Sequence, residues 1–388
     1  MENTERMDVE QAKREMSRTV KGPVDLPFAL LVVLLSGVGL VMMFSASYAW
    51  ADRFTDTPVF YVTRQAIFMV MGIAVMMAVS RFNYHYFKMI SIPAMVVALI
   101  LLVVVLFVGS REKEAVRWIN FGLFNIQPSE IAKVAVIMLF ATMIAGNPDK
   151  MSEKRLLPAL RNITPYIALL ALIAGLMAMQ PHFSGIILIL AVGAVMLYMG
   201  GLAYRWIFAV GAAGVGAMTV LITATDYAAR RISIWQDPWS DLRGDGWQTV
   251  QSLYAVASGG WFGLGLGQSR QKYSYLPEPH NDFVFAIVCE ELGMAGALIV
   301  LFLFLLLICR GFWIALHARD RFGTLLVSGV TTLLAIQTFL NVAVVTNLIP
   351  VTGISMPFFS YGGSSLVIQM VEMGIVLAVS RRLPAYNP

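Results

Sequence analysis

The chain has 388 residues, 58% of them hydrophobic and 13% charged, with a formal net charge of +5 and a mean hydropathy of +0.73. Soluble domains carry roughly 25% charged residues, and here the apolar residues gather in runs of about 20, the length a helix needs to cross a bilayer. This excludes a soluble enzyme. It also argues against nucleic acid as partner, because the basic residues sort by side of the predicted spans rather than into one patch.

Residues 1–25 form a charged tail, and the first apolar run, 26–48, is long enough to span and reads as an uncleaved anchor. Further spans are predicted over 60–80, 89–109, 129–146, 163–180, 184–201, 203–225, 283–310, 323–347 and 362–380. The fold class is an all-α polytopic membrane protein, one bundle of about ten transmembrane helices over 26–382, with a short tail at 383–388. An even count puts both termini on one side. With that side cytoplasmic, most of the 28 basic residues lie inside, among them Arg81, Lys88, Arg205, Arg310, Arg321 and Arg381. The extracytoplasmic loops are then 110–128, 226–282 and 348–361. The long one, before the eighth span, is dense in Trp, Tyr and Gly, as a functional loop is, and is expected to roof the bundle. Cys289 and Cys309 share the eighth span about 30 Å apart, so they cannot bridge.

Charge near hydrocarbon marks the candidate site. Asp282 follows His280 and Asn281 at the mouth of the eighth span, in "YLPEPHNDFVFAIVCEELG". An N-cap and a functional acid are both open for it, although Pro277, Glu278 and Pro279 add more than a cap needs. In "QPSEIAKVAVIML", Glu130 and Lys133 share one helix face. They read either as a self-neutralising pair or as lining a polar cavity. Glu290, Glu291 and Glu372 are further intramembrane acids, with packing and function both open. Arg117 and Trp118 match an interfacial aromatic–cation pair. The run "SGGWFGLGLGQS" lacks the Lys-Ser/Thr and the strand–helix context of a phosphate loop. No Cys/His zinc spacing occurs, and no metal ligands are assigned.

Four stretches together resemble the FtsW/RodA/SpoVE family of bacterial shape, elongation, division and sporulation proteins: "VRWINFGLFNIQPSEIAK", residues 237–293, "NVAVVTNLIPVTGISMPFF" and "SYGGSS". "NVAVVT" is more similar to the division and sporulation branch. The resemblance implies a peptidoglycan glycosyltransferase that polymerises lipid II, a disaccharide-pentapeptide on a polyprenyl pyrophosphate, at the outer membrane face. It also implies a single-span class B penicillin-binding protein as transpeptidase partner. The family's essential Asp in a His-Thr-Asp-Phe motif aligns with Asp282, with Asn281 in place of Thr. Two departures stand out: "QPHFSG" at 180–185, where the family often has QPDxGT, and Asn347, where Gly is more usual.

On this reading Asp282 is the base that takes the acceptor hydroxyl's proton. The substrate-binding candidates are Lys133, Glu130, Arg117, Trp118, Arg270, Lys272 and His280, with Ser360 and Ser364 of "SYGGSS". Positive charge at the departing pyrophosphate comes either from the Lys and Arg side chains or from a divalent cation, Mg or Mn, held by carboxylates. The alternative is a flippase or transporter of the lipid-linked precursor. That activity needs polar residues near the bilayer midplane, whereas the densest polar cluster here is predicted at the outer edge. A non-catalytic scaffold is a third reading.

Overall fold

The computed structural model describes residues 22–55, 57–112, 115–120, 122, 125–147, 151, 153, 156–206, 208–209, 211–212, 214, 216, 226–242, 244, 246–273 and 275–382. Residues 1–21, 383–388 and much of the predicted seventh span, 203–225, lie outside that set.

Apolar runs become helices where prediction puts them: α1 (Leu26–Phe54), α2 (Phe60–Val79) and α3 (His85–Val108) come first. Three short strands then occupy the first loop, β1 (Ser110–Glu112), β2 (Ala115–Asn120) and β3 (Asn125–Ile126), in an antiparallel order β1-β2-β3. Among the described residues, this small sheet departs from an all-α reading. It delivers the chain to Pro128, which opens α4 (Pro128–Gly146). Next come α5 (Leu156–Ala178) and the shorter apolar α6 (Phe183–Met199). The long loop holds α7 (Asp226–Gln236), a 3-10 turn over Pro238–Asp241, and α8 (Trp247–Ser258). The chain finishes with α9 (Val284–Leu316), α10 (Arg321–Val345) and α11 (Gly363–Ser380). Eight of these helices are long and apolar enough to cross a membrane.

α10 is the central rod, packed on α4, α6, α9 and α11, while α11 lies along α2 and α3 along α4. The two ends of the bundle differ. One gathers the loops before α4, α9 and α11. At the other, Arg310 pairs with Asp25 at 2.6 Å, and Arg321 donates to Gly200 O at 2.6 Å. Gly22 and Arg381 bond each other there, so the first and last described segments meet at one end.

The acids of α9 fasten the long loop to the bundle. α9 is broken at Gly293 (φ 66°, ψ −171°), which orphans carbonyls above the break and N–H groups below it. The Gly-rich run supplies the partners. Leu264 N and Gly265 N donate to Glu290 O and Glu291 O, while Met294 N and Ala295 N donate to Gly260 O and Trp261 O, all at 2.9–3.0 Å. The Glu290 carboxylate takes bonds from Ser269 Oγ and Arg270 N. Glu291 takes them from Ser45, Gly267 N and Lys272. Both acids are structural.

The segment 348–361, expected as an outer loop, instead folds back into the bundle. Phe358 and Phe359 are buried against Phe304 of α9. Four amides bond its backbone: Gln65 to Ser360 O, Gln337 to Ser355 O, Asn341 to Ile354 O, and Gln369 from Phe358 N. Asn347 has φ 57°, a left-handed conformation that Gly and Asn tolerate best. That explains why Asn can stand where the family more often has Gly.

An alanine Cβ at 293 would lie 2.3 Å from Gly263 N, on a backbone with positive φ. Gly293→Ala is therefore expected to cost more than about 2 kcal/mol, read as a lower melting temperature of the purified protein. Gly175→Ala, with open space around its Cβ, should melt at or slightly above the native temperature.

Candidate functional site

At the loop-rich end lies a cavity of about 730 Å³, within the range of pockets that bury a ligand. The first turns of α2, α4, α6 and α11, the approach to α9, strand β2 and the 351–355 segment all contribute to its wall.

Asp282 lines this cavity, half-buried, and does not cap α9: the N-cap position is Phe283, without a side-chain bond. Asn341 of α10 fixes its backbone, donating to Asp282 O at 2.8 Å while also bonding Ile354 O at 2.6 Å. Gly353 (φ 70°) leaves room beside the acid, since a Cβ there would stand 3.2 Å from Asp282 Oδ2 and 3.9 Å from an Arg117 guanidinium nitrogen. Asp282 and Arg117 thus flank the same glycine. One helical turn before Asn341, Gln337 accepts from Lys133 at 3.3 Å. Lys133 also pairs with Glu130 at 2.8 Å, both buried.

Arg117 reaches in from β2 and donates to Pro181 O. Trp118 and His280 line the wall, the His280 ring 4.5 Å from Tyr61 and 5.8 Å from Tyr361. Ser364 also lines it, at the start of α11. Asn281, also on the wall, donates to Glu278 at 3.0 Å.

Three candidates are not brought here. Lys272 is buried with Glu291 at 3.0 Å and spends its other bonds on Ser45 and Gly267 O. Arg270 is exposed off the cavity and lends only its backbone N–H to Glu290. Ser360 Oγ accepts from Met356 N at 2.7 Å and closes a turn. Trp261 and Tyr273 of the long loop are likewise exposed away from the wall.

Others lining the cavity were missed. Arg64 and Arg231 add two cations, Arg231 tied to Val351 O. Arg64 sits one turn into an apolar span, where sequence alone reads it as an interfacial charge. Tyr361 faces Arg64, and burial raises its hydroxyl pKa against that cation's opposing pull. His182, flagged only as a departure, lies buried between α5 and α6; burial, with help from Arg117 and Lys133, pulls its pKa well below the usual imidazole value. It is uncharged at neutral pH.

Among the described residues no group of three His, Cys, Asp or Glu side chains is placed to hold a metal. The described residues therefore do not fit a protein-only cation cage.

The family question is decided by comparison. The profile of the FtsW/RodA/SpoVE family, described as cell cycle protein, matches residues 26–384. The chain belongs to this family. Stage V sporulation protein E of Bacillus subtilis is 38% identical, over 94% of this chain and 98% of that protein. A probable peptidoglycan glycosyltransferase FtsW of Trichlorobacter lovleyi is also 38% identical, over 92% and 93%. Among solved structures, a chain of a peptidoglycan synthase complex, studied for its coordination of polymerization and crosslinking, superposes with TM-score 0.77 at 27% identity, over 92% of this chain and 98% of that one. Rod shape determining protein RodA of Thermus thermophilus gives 0.69 at 25%, over 94% and 99%. The protein is a multi-pass membrane protein of this family, as its motifs indicated.

Two outcomes follow from the geometry. Lys272→Ala leaves Glu291 buried without its cation and is expected to cost about 3–5 kcal/mol, seen as a lower melting temperature. For His182, the unfolded chain takes up a proton near pH 6.5 that the buried ring refuses. Its contribution is therefore complete above pH 6.5 and declines below it, by up to about 1.4 kcal/mol per pH unit. Unfolding curves between pH 7.5 and 5 should show this slope, and it should be absent in His182→Gln.

Proposed function

We propose that this chain is a peptidoglycan glycosyltransferase that polymerises lipid II at the outer face of the cytoplasmic membrane, in cell division or sporulation. The observation that carries the reading is Asp282: an anionic oxygen on the wall of a deep cavity, sharing Gly353 with the Arg117 guanidinium. Kinship with proteins named FtsW and SpoVE supports the same activity.

The acceptor's hydroxyl oxygen bonds the donor's anomeric carbon, its proton passes to Asp282, and the donor's bond to pyrophosphate breaks. A positioned base of this kind contributes about 10²–10⁴-fold. Lys133, Arg117 and Arg64 place positive charge in the same space, where it stabilises the departing diphosphate. Trp118 and the Tyr61–His280–Tyr361 cluster offer aromatic faces for sugar. The basic residues at the far end of the bundle support a cytoplasmic location for both termini and an outward-facing cavity. Likeness to a chain of a complex that polymerises and crosslinks supports a class B penicillin-binding protein as partner. A single bundle over 26–382 holds all of this.

The transporter reading is weaker because the cavity's charge clusters where helices begin, at one end of the bundle, rather than at its middle. Purified protein, with its transpeptidase partner and lipid II, should make glycan strands visible on gels. Asp282→Asn should lose about 10²–10⁴-fold in rate. Native-rate polymerisation by that variant refutes the assignment of the base; lipid II translocation in vesicles without polymer refutes the enzyme.

A further inference from the structure

Ser129 Oγ, Ser184 Oγ and His182 Nδ1, in residues only 1%, 2% and 6% exposed, are among the buried polar atoms of the cavity wall that have no hydrogen-bond partner. An unsatisfied buried group costs on the order of 1–3 kcal/mol, so three in one wall call for a ligand. They share a structural setting. Ser129 lies in the first turn of α4, Ser184 in the first turn of α6, and His182 at the α6 N-cap. The two helices pack on each other and both begin at the cavity. Neither has a side-chain cap, whereas α1 and α10, which start at the far end, are capped by Asp25 and Asp320. With no side-chain cap at either start, the Ser129 and Ser184 hydroxyls stand buried at the cavity without a partner.

Two uncapped helix starts side by side, with their positive dipole ends and two hydroxyls, suit an anion. Lys133 stands one turn inside α4, and Arg117 is anchored on the carbonyl of Pro181, next to His182. An uncharged imidazole adds a hydrogen-bond donor without requiring a second negative charge. The set matches the oxygens of a phosphate chain better than a sugar, whose hydroxyls need acceptors as well as donors.

We propose that Ser129, His182 and Ser184, at the joined N-termini of α4 and α6, hold the pyrophosphate of a lipid-linked substrate. This rests on the glycosyltransferase reading and assigns it a diphosphate subsite beside Asp282. The "QPHFSG" stretch is then part of the binding wall, and its departures from the family pattern fall on residues that touch the diphosphate.

The test is binding of polyprenyl pyrophosphate to the full chain in nanodiscs, with inorganic pyrophosphate titrated in parallel. Ser129→Ala and Ser184→Ala are each expected to weaken lipid binding about tenfold, the scale of one hydrogen bond to a charged group. Ser184→Thr, which keeps the hydroxyl, should restore it. His182→Asp should weaken it further, by placing negative charge at the anion. Ser328→Ala, which removes a buried hydroxyl of α10 that does not line the cavity, should bind as native. Parallel losses for inorganic pyrophosphate assign the contacts to the phosphates alone, and losses confined to the lipid assign them to the lipid-borne group; either supports the subsite. Native affinity in both alanine variants, or loss in Ser184→Thr equal to that in Ser184→Ala, overturns it. Asp282→Asn separates the two readings, because it should bind the lipid as native while failing to polymerise. A native chain that polymerises while the serine variants bind normally sinks the subsite alone. A chain that binds but makes no polymer sinks the enzyme alone.

Discussion

Backbone that leaves a helix at bilayer depth must find hydrogen bonds inside the protein, because hydrocarbon offers none. Among the described residues this chain breaks that regularity at two places, and the second of them lines the cavity. At Gly293 the eighth predicted span is interrupted and the Gly-rich run is spliced into the gap, its glycines close enough that a Cβ at 259 or 263 would fall about 2 Å from an α9 carbonyl oxygen. Between α10 and α11 the chain dives inward and is bonded by Gln65, Gln337, Asn341 and Gln369. Remove either set of bonds and the chain that carries Asp282 or Gly353 loses its support.

Asn341 links that constraint to chemistry. It bonds the backbone of Asp282 and of Ile354 together, while Gln337, one turn earlier on the same face, receives Lys133 and holds Ser355. One buried helix therefore fixes the relative positions of a carboxyl group and a cation. Reacting groups held this way need little reorganisation when charge develops, which is where electrostatic catalysis gains most. The Lys133–Glu130 pair is consistent with this: a buried ion pair adds little to stability on average, but it keeps an ammonium ion ready in a place where an isolated charge would be expensive.

How much of this was legible in the residues divides along physical lines. Spans announce themselves through 20-residue apolar runs, and nine of the predicted segments coincide with described helices, although α3 begins earlier, at His85, and α9 runs on to Leu316. Asp282, Glu130, Lys133, Arg117 and Trp118 were visible because charge and tryptophan are conspicuous beside hydrocarbon, and all five line one cavity. Lys272 was misread because a cation in an outer loop looks available; only the fold brings Glu291, nineteen residues later, against it. Arg64 was passed over for the converse reason. The inward course of 348–361 had no signal at all, since "IPVTGISMPFF" is as apolar as a surface loop on lipid and carries no charge to betray burial.

The charge pattern of the cavity bears on why a membrane enzyme would be built this way. Its wall carries four cationic side chains, Arg64, Arg117, Lys133 and Arg231, against three acids, Glu130, Glu278 and Asp282. Glu130 pairs with Lys133 and Glu278 accepts from Asn281, while Asp282 stands beside Gly353 and the Arg117 guanidinium. A polymer-forming step brings two diphosphate-bearing lipids to one base, and a space with surplus positive charge answers that demand more directly than one carboxylate pair would. In glycoside hydrolases the second carboxylate activates water or attacks the sugar. This cavity instead carries more cationic than acidic side chains, a setting suited to stabilising a departing diphosphate rather than to activating water.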